Sequence, residues 1–142
     1  MIIPDVNLLL YAVVDGFAEH ERSRSWLEEQ LNGPEQVGLA VPALFGFVRL
    51  GTSARVLADP LSVDEAASYL SQWLDQPGAR LLRFERRHLE RAMTLLRGVG
   101  TGANLTTDAQ LAALALEEGA EVCSNDSDFA RFPGLRWSNP LA

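Results

Sequence analysis

Short apolar runs alternate with amphipathic segments along the whole sequence, and this alternation restricts the fold more than any other feature. Apolar runs bounded by turn residues indicate buried strands, whereas apolar residues spaced three and four apart indicate helices. The runs predict strands at 2–4, 37–41, 80–84 and 120–123, with a short edge strand near 135–137. The amphipathic segments predict helices at 6–14, 19–31, 43–53, 62–74, 86–97 and 108–118. Strands that alternate with helices favour an α/β fold, with a parallel sheet and helices on both of its faces.

The length and the cysteine content predict one domain in a reducing compartment. A chain of 142 residues with 47% hydrophobic residues can bury a substantial core, so we expect residues 1–142 to form a single domain. The only cysteine, Cys123, lies in a predicted strand without a disulfide partner, which fits a cytoplasmic protein. No basic segment precedes the first apolar run, and no apolar stretch approaches the roughly 18 residues of a membrane-spanning helix. We therefore expect neither a signal peptide nor contact with a membrane.

The charge pattern argues against passive binding of nucleic acid. The formal net charge is −7, and all 12 basic residues are arginine. Phosphate affinity normally comes from basic patches, so a phosphate-handling site in this chain needs another source of positive charge. Carboxylates that hold Mg²⁺ or Mn²⁺ are one such source. The exclusive use of arginine fits clamps for phosphate or carboxylate groups, and it fits equally well a biased genomic base composition.

Four aspartates occupy equivalent places at the ends of predicted elements. Asp5 follows the first strand, and Asp126 and Asp128 follow the fourth. Asp108 stands in the first turn of the helix that leads into the fourth strand. Parallel strands place their carboxyl ends at one edge of a sheet, so these acids can meet there. Oxygen ligands without cysteine or histidine select hard ions, which predicts a site for Mg²⁺ or Mn²⁺.

Each aspartate also has a purely structural interpretation. Asp108 can favour the dipole of its helix, and Asp126 with Asp128 can form an Asx turn. Asp5 is harder to explain in this way, because a carboxylate between an apolar strand and an apolar helix is costly unless it is paired or metal-bound. Asn7 can cap the following helix or orient Asp5 through its amide. Taken together, the four positions favour a metal site over unrelated structural roles.

Other kinds of catalytic site find little support in the sequence. His20 and His88 are the only histidines, and their charged surroundings predict that both lie at the surface. No nucleophile–histidine–acid triad can be assembled around them. The glycine-rich loop at 98–105 lacks the Gly-Lys-Thr of a phosphate loop and follows a predicted helix, so a nucleotide site is not expected there. The aspartates remain the main candidates.

Several motifs together resemble one known family. They are DVNLLLYA at 5–12, His20 with Trp26, FVRLGTS at 47–53, the block TDAQLAALALEEGAEVCSNDSDFARFPGL at 107–135, and the ending RWSNPL. On these motifs, which cover nearly the whole chain, the sequence is identified as a member of the PIN-domain family. It resembles in particular the VapC-type ribonuclease toxins of bacterial toxin–antitoxin pairs.

The resemblance implies both a fold and an activity. The fold is a three-layer α/β/α sandwich around a central, mostly parallel sheet of four to five strands. The activity is endonucleolytic cleavage of RNA, in which Mg²⁺ or Mn²⁺ activates a water molecule. The family also implies a homodimer that is silenced by a VapB-like antitoxin.

Matching the motifs residue by residue assigns roles by resemblance. The catalytic metal ligands correspond to Asp5, Asp108 and Asp126, with Asp128 as a further ligand. The family's small hydroxyl residue corresponds to Ser124, and the polar residue after the first aspartate corresponds to Asn7.

One position departs from the family pattern. The family usually carries a glutamate on the third helix, where this chain has Gly46, and no acid between Glu35 and Asp59 replaces it. Arg49 lies on the same helical face, so it can reach the pocket and contact a phosphate, or pair with a carboxylate for structure. The missing glutamate keeps open a degenerate PIN domain that binds RNA or protein without cleavage. An unrelated α/β domain with structural aspartates is the other alternative.

Overall fold

A sheet of five parallel strands forms the centre of the protein. The computed structural model describes residues 1–142. The strands are β1 (Ile2–Pro4), β2 (Val37–Ala40), β3 (Ala79–Leu82), β4 (Glu121–Cys123) and β5 (Trp137–Ser138). They lie in the order β3-β2-β1-β4-β5, and every neighbouring pair is parallel. The predicted α/β fold is therefore confirmed, and the sheet is wholly parallel.

Six α-helices accompany the sheet, close to the predicted positions. They are α1 (Val6–Val13), α2 (His20–Asn32), α3 (Val41–Gly51), α4 (Val63–Leu74), α5 (Arg86–Val99) and α6 (Thr106–Glu118). Two short 3₁₀ helices, Ala103–Leu105 and Ser127–Arg131, precede α6 and follow β4. None of these helices combines the length and the apolar character that crossing a membrane requires.

Helix α6 is buried on several sides, which follows from its composition. Alanines and leucines dominate it, and its buried residues are Ala109, Leu111, Ala112, Ala113, Leu114 and Ala115. Small alanine side chains let neighbouring elements approach closely, and α6 contacts α3, α5, β1 and β4. This packing fixes the N-terminal turn of α6, which carries Asp108, relative to the sheet.

The register of β1 and β4 sets the position of the first candidate residues. Pro4 pairs with Cys123 at the carboxyl ends of these two strands. Asp5 extends the pairing, because its N–H donates to the Cys123 carbonyl oxygen at 2.9 Å. The residues that follow the two strands, Asp5 and Ser124, are therefore neighbours at one edge of the sheet.

The two histidines contradict the predicted surface positions. His88 is 1% exposed, and His20 is half-buried. The Nδ1 atom of His88 accepts a hydrogen bond from the Glu85 N–H at 2.9 Å and so closes the first turn of α5. A ring nitrogen of His20 lies 2.8 Å from the Tyr11 carbonyl oxygen. The prediction was wrong because a charged segment does not reveal which of its side chains turns inward to bond the backbone.

Candidate active site

Asp5 is a buried carboxylate with a hydrogen bond at each oxygen. It caps helix α1, since its Oδ1 atom accepts from the Val6 N–H at 2.7 Å. Its Oδ2 atom accepts from the Ser124 hydroxyl at 2.6 Å. Burial is the main cause that raises the pKa of Asp5; the two hydrogen bonds lower it, and the charge of Asp126 raises it slightly further. The carboxylate is thus held in one position, at a cost that a nearby cation would reduce.

The hydroxyl of Ser124 organises the groups around Asp5. Besides donating to Asp5, this fully buried hydroxyl accepts from the Asn7 side-chain amide at 3.2 Å and from the Asp126 N–H at 2.9 Å. Of the two roles predicted for Asn7, capping is wrong, because Asp5 itself caps α1. Asn7 orients Asp5 only indirectly, by holding Ser124. Its Oδ1 atom is buried without a hydrogen-bond partner.

Three further carboxylates converge beside this network. One oxygen each of Asp108, Asp126 and Asp128 lie within 4.8 Å of one another. Burial, and after it the charges of Asp5, Asp126 and Asp128, together raise the pKa of Asp108 to about 7. We call these four residues the acidic cluster. Near neutral pH Asp108 therefore tends to retain its proton unless a cation compensates the charge around it.

The structural roles considered for these aspartates are present alongside the convergence. The Asp126 Oδ1 atom accepts from the Asp128 N–H at 2.9 Å, which starts the 3₁₀ helix Ser127–Arg131. Asp108 lies in the first turn of α6, where a negative charge interacts favourably with the helix dipole. Capping explains the local backbone conformation near these residues. It does not explain why three carboxylates approach one another without a lysine, arginine or histidine between them.

The donor set fits a hard divalent cation. The converging ligand atoms of Asp108, Asp126 and Asp128 are carboxylate oxygens, and ions such as Mg²⁺ and Mn²⁺ prefer oxygen ligands. The unpartnered Oδ1 atom of Asn7 adds a buried acceptor next to the carboxylates. An acceptor in that place suits a water molecule of the kind that Mg²⁺ usually retains.

The acidic cluster opens into a cleft of about 610 Å³ between α1, α3 and α6. Asp5, Asp108 and Asp126 line it on one side, and Phe45 and Arg49 of α3 line it as well. Arg49 is exposed and takes part in no ion pair, so the alternative of a structural pair with a carboxylate is wrong. Phe45 was not predicted as a site residue, although its place one turn before Arg49 puts both on one helical face.

Gly46 is explained by its neighbour Val6. A Cβ atom at position 46 would lie 2.6 Å from the Val6 Cγ2 atom and 3.3 Å from Cγ1. Val6 is β-branched and stiff at χ1, so it cannot easily turn away. The place where a longer side chain would start is therefore filled, and α3 contributes no carboxylate to the cluster.

The sequence is related over its full length to named ribonucleases. The profile of the PIN domain matches residues 2–135. The chain is 53% identical over 141 residues to ribonuclease VapC33 of Mycobacterium tuberculosis, with 99% of each chain covered. It is 44% identical over 142 residues to ribonuclease VapC37 of the same organism, with 100% of this chain and 99% of VapC37 covered.

Solved structures share the fold at lower identity. The VapBC2 complex of Rickettsia felis, bound to a DNA fragment from its promoter, matches with a TM-score of 0.71 and 19% identity, covering 98% of each chain. VapC20 of Mycobacterium tuberculosis, a toxin that cleaves the sarcin–ricin loop, matches with a TM-score of 0.71 and 18% identity, covering 96% of this chain and 99% of that one. At such identities the likeness concerns the fold alone.

Proposed function

The chain belongs to the PIN-domain family of VapC ribonucleases, and from this premise we propose that it is the toxin of a VapBC-type pair and cleaves RNA with the help of Mg²⁺ or Mn²⁺. The observation that carries the proposal is the convergence of Asp108, Asp126 and Asp128 within 4.8 Å, beside buried Asp5. Residues 1–142 act as one catalytic domain in this proposal, and the site of action is the cytoplasm, where cellular RNA is found.

The residues of the acidic cluster have distinct tasks in this mechanism. Asp108, Asp126 and Asp128 hold the ion, and Asp5 adds a carboxylate that Ser124 and the Val6 N–H keep in place. When bound, the ion supplies a water of lowered pKa and positive charge to balance the phosphate. The Asn7 Oδ1 atom accepts a hydrogen bond from a donor in the cleft. A bound cation would favour the ionised form of Asp108, whose pKa is raised by burial and by the neighbouring carboxylates.

The direct test replaces Asp108 by asparagine, which keeps the shape of the side chain and removes its charge. We expect Asp108→Asn to abolish Mg²⁺-dependent RNA cleavage and to weaken Mn²⁺ binding in calorimetric titration at least tenfold. Asp59→Asn, an exposed aspartate in a loop, serves as the matched control and should leave both unchanged. Full cleavage activity in purified Asp108→Asn protein would refute the assignment.

A second candidate function is supported by Gly46. Because Val6 fills the space beside it, α3 lends no carboxylate, and a weakened metal site could leave a domain that binds RNA without cutting it. Expression in a bacterial host separates the two functions. The ribonuclease arrests growth and loses this effect on Asp5→Ala substitution, whereas a binding protein produces no arrest that depends on Asp5.

We propose two protein partners, a VapB-like antitoxin and a second copy of this chain. Structural neighbours from Rickettsia felis and Haemophilus influenzae are VapBC proteins, which supports an antitoxin partner. Co-expression with the protein encoded next to this chain should give a stable complex that lacks RNA cleavage. Light scattering after size-exclusion chromatography should show the mass of two chains for the toxin alone.

A further inference from the structure

Helix α3 exposes two side chains, and both lie at the cleft. Of the residues Val41–Gly51, Phe45 and Arg49 are exposed while the others are buried or half-buried. Phe45 is 66% exposed, which is unusual for a large aromatic residue in a protein that buries its other phenylalanines more deeply. The remaining large exposed apolar residues are aliphatic or methionine and lie outside this cleft: Val56, Val63, Leu81, Leu89 and Met93.

Arg49 is a cation without an anion of its own. Several other arginines pair with glutamates, namely Arg24, Arg86, Arg87 and Arg91. Arg49 does not, although it borders a cleft that contains aspartates. In a chain with a net charge of −7, a guanidinium beside the catalytic acids reduces the repulsion that any approaching phosphate meets. Its planar fork matches phosphate oxygens.

We infer that Phe45 and Arg49 together hold one unpaired nucleotide of the RNA next to the bond that is cut. We call these two residues the α3 wall. They are one helical turn apart, so their Cβ atoms are about 6 Å from each other, and one nucleotide can place its base on the ring and its phosphate on the guanidinium. The inference rests on the proposed ribonuclease function and deepens it by naming two residues that contact the substrate.

Stacking on Phe45 requires that the base be free of its partner. Bases in an RNA duplex present their faces to each other, whereas bases in loops and single strands can turn out and stack on aromatic side chains. The α3 wall therefore selects RNA that is single-stranded or looped at the cleavage site. Any base can stack on the ring, because every base has an aromatic face. The α3 wall therefore distinguishes unpaired from paired RNA and does not distinguish one base from another.

The observations favour RNA over a second protein chain as the ligand of Phe45. A stable interface between protein chains buries about 800 Å² on each side and has a continuous apolar centre. On α3 the only exposed apolar side chain is the ring of Phe45, with the charge of Arg49 one turn away and aspartates of the acidic cluster lining the same cleft. A nucleotide is the ligand that pairs an aromatic base with a phosphate.

The experiment measures the Kd of a short, unstructured, fluorescein-labelled RNA by fluorescence anisotropy in the presence of Ca²⁺. A gel run afterwards checks that the RNA is still intact. Phe45→Ala should weaken binding about tenfold, because it removes the ring on which a base stacks, and Phe45→Trp should retain binding. Arg49→Ala should weaken binding and reduce the slope of log Kd against log salt by about 0.7. The same RNA in a duplex should bind more weakly, and its affinity should be unchanged by Phe45→Ala.

Two matched variants control for surface changes elsewhere. Val63→Ala removes an apolar side chain that is 70% exposed on α4, and Arg55→Ala removes an exposed arginine outside the cleft. Neither should alter RNA binding. Wild-type affinity in Phe45→Ala, or no binding of the RNA by the unmodified chain, overturns the inference. So does a loss of dimer mass in Phe45→Ala, because the ring would then cover a second copy.

The proposed function and this inference fail in distinguishable ways. The function fails if the unmodified chain shows no cleavage that depends on Mg²⁺ or Mn²⁺ and on Asp108. The inference fails, with the function intact, if Phe45→Ala cleaves and binds single-stranded RNA as the unmodified chain does.

Discussion

The two sides of the cleft differ in how firmly their side chains are held. In the acidic cluster, Asp5 is fixed by Ser124 and the Val6 N–H, and Asp126 is fixed by the Asp128 N–H. On the α3 wall, Phe45 and Arg49 are exposed, and their side chains form no hydrogen bond or ion pair. Fixed carboxylates suit a metal centre, whose ligand positions must not change, whereas unconstrained side chains suit contact with a varied substrate. The difference suggests a division between chemistry and substrate choice.

The largest effect is expected from Ser124→Ala, which disturbs the firmly held side of the cleft. Asp5, Asn7 and the Asp126 N–H would each lose a partner, and unpaired buried polar groups cost roughly 1–3 kcal/mol of unfolding free energy. Cleavage should fall about a hundredfold, since small displacements of reacting groups can cost that much. Urea denaturation and initial cleavage rates measure the two effects.

Ser127→Ala is the control for that substitution, because Ser127 is exposed and lies outside the hydroxyl network. It should change neither the rate nor the unfolding free energy. If Ser124→Ala kept normal activity and stability, the acidic cluster would not depend on that hydroxyl, and the contrast between the two sides of the cleft would be lost.

A smaller effect is expected where the two sides meet, at Gly46. Gly46→Ala places a Cβ atom 2.6 Å from the Val6 side chain, and overpacking of this kind typically costs about 1–3 kcal/mol. Gly98→Ala in α5 meets nothing within 4 Å, so it should stabilise the helix by about 0.5–1 kcal/mol. Urea denaturation of both variants measures these opposite signs.

Val6→Ala should rescue Gly46→Ala and so prove that the two residues share one space. The double-mutant cycle should then give a coupling energy of at least about 1 kcal/mol. In the same Val6→Ala background, Gly46→Glu should tighten Mn²⁺ binding, whereas Gly46→Glu alone should mainly destabilise the fold. Additive stabilities would show that Val6 does not exclude a side chain at position 46.

A further effect is a dependence of stability on pH that arises at Asp108 of the acidic cluster. The pKa of Asp108 is raised from 3.8 to about 7 in the folded, metal-free protein, so between these values the folded chain keeps a proton that the unfolded chain has lost. The unfolding free energy should therefore fall as pH rises through this window. Thermal denaturation in EDTA from pH 5 to pH 8 tests this, and Asp108→Asn should flatten the curve.

Metal binding should have the opposite pH dependence, because protons compete with the ion for Asp108. Mn²⁺ affinity should decrease as the pH is lowered through about 7 in the unmodified chain. The contribution of Phe45 to RNA affinity is the ratio of the Kd values of Phe45→Ala and the unmodified chain. This ratio should not change as the pH passes through about 7. A common pH profile for both would indicate that the two sides of the cleft act as one unit.

The convergence of the aspartates followed from the sequence because it depends on topology. Alternating strands and helices predicted a parallel sheet, and parallel strands bring their carboxyl ends to one edge. Asp5, Asp126 and Asp108 could therefore be grouped before any side chain was placed. A different argument led to Arg49, which was expected at the pocket because it shares a helical face with Gly46, and it lines the cleft.

The details that were not predicted depend on packing between elements distant in sequence. Val6 and Gly46 contact each other from different helices, and neither residue type signals the contact. Ser124 accepts from Asn7 and donates to Asp5 across more than a hundred residues of chain, a network that spacing cannot reveal. His88 was misplaced for the same reason, because its inward turn is decided by one backbone bond.

The exposure of Phe45 and Arg49 has a consequence for how such proteins can diverge. Exposed side chains without partners can usually be replaced within about 0.5 kcal/mol of the original stability, whereas changes at buried Asp5 and Ser124 cost more. A duplicated copy of this chain could therefore acquire a new RNA target by substitutions on α3 while its metal centre and its core stay intact. Residues on the exposed face of α3 can thus change with little loss of stability, whereas buried Asp5 and Ser124 cannot.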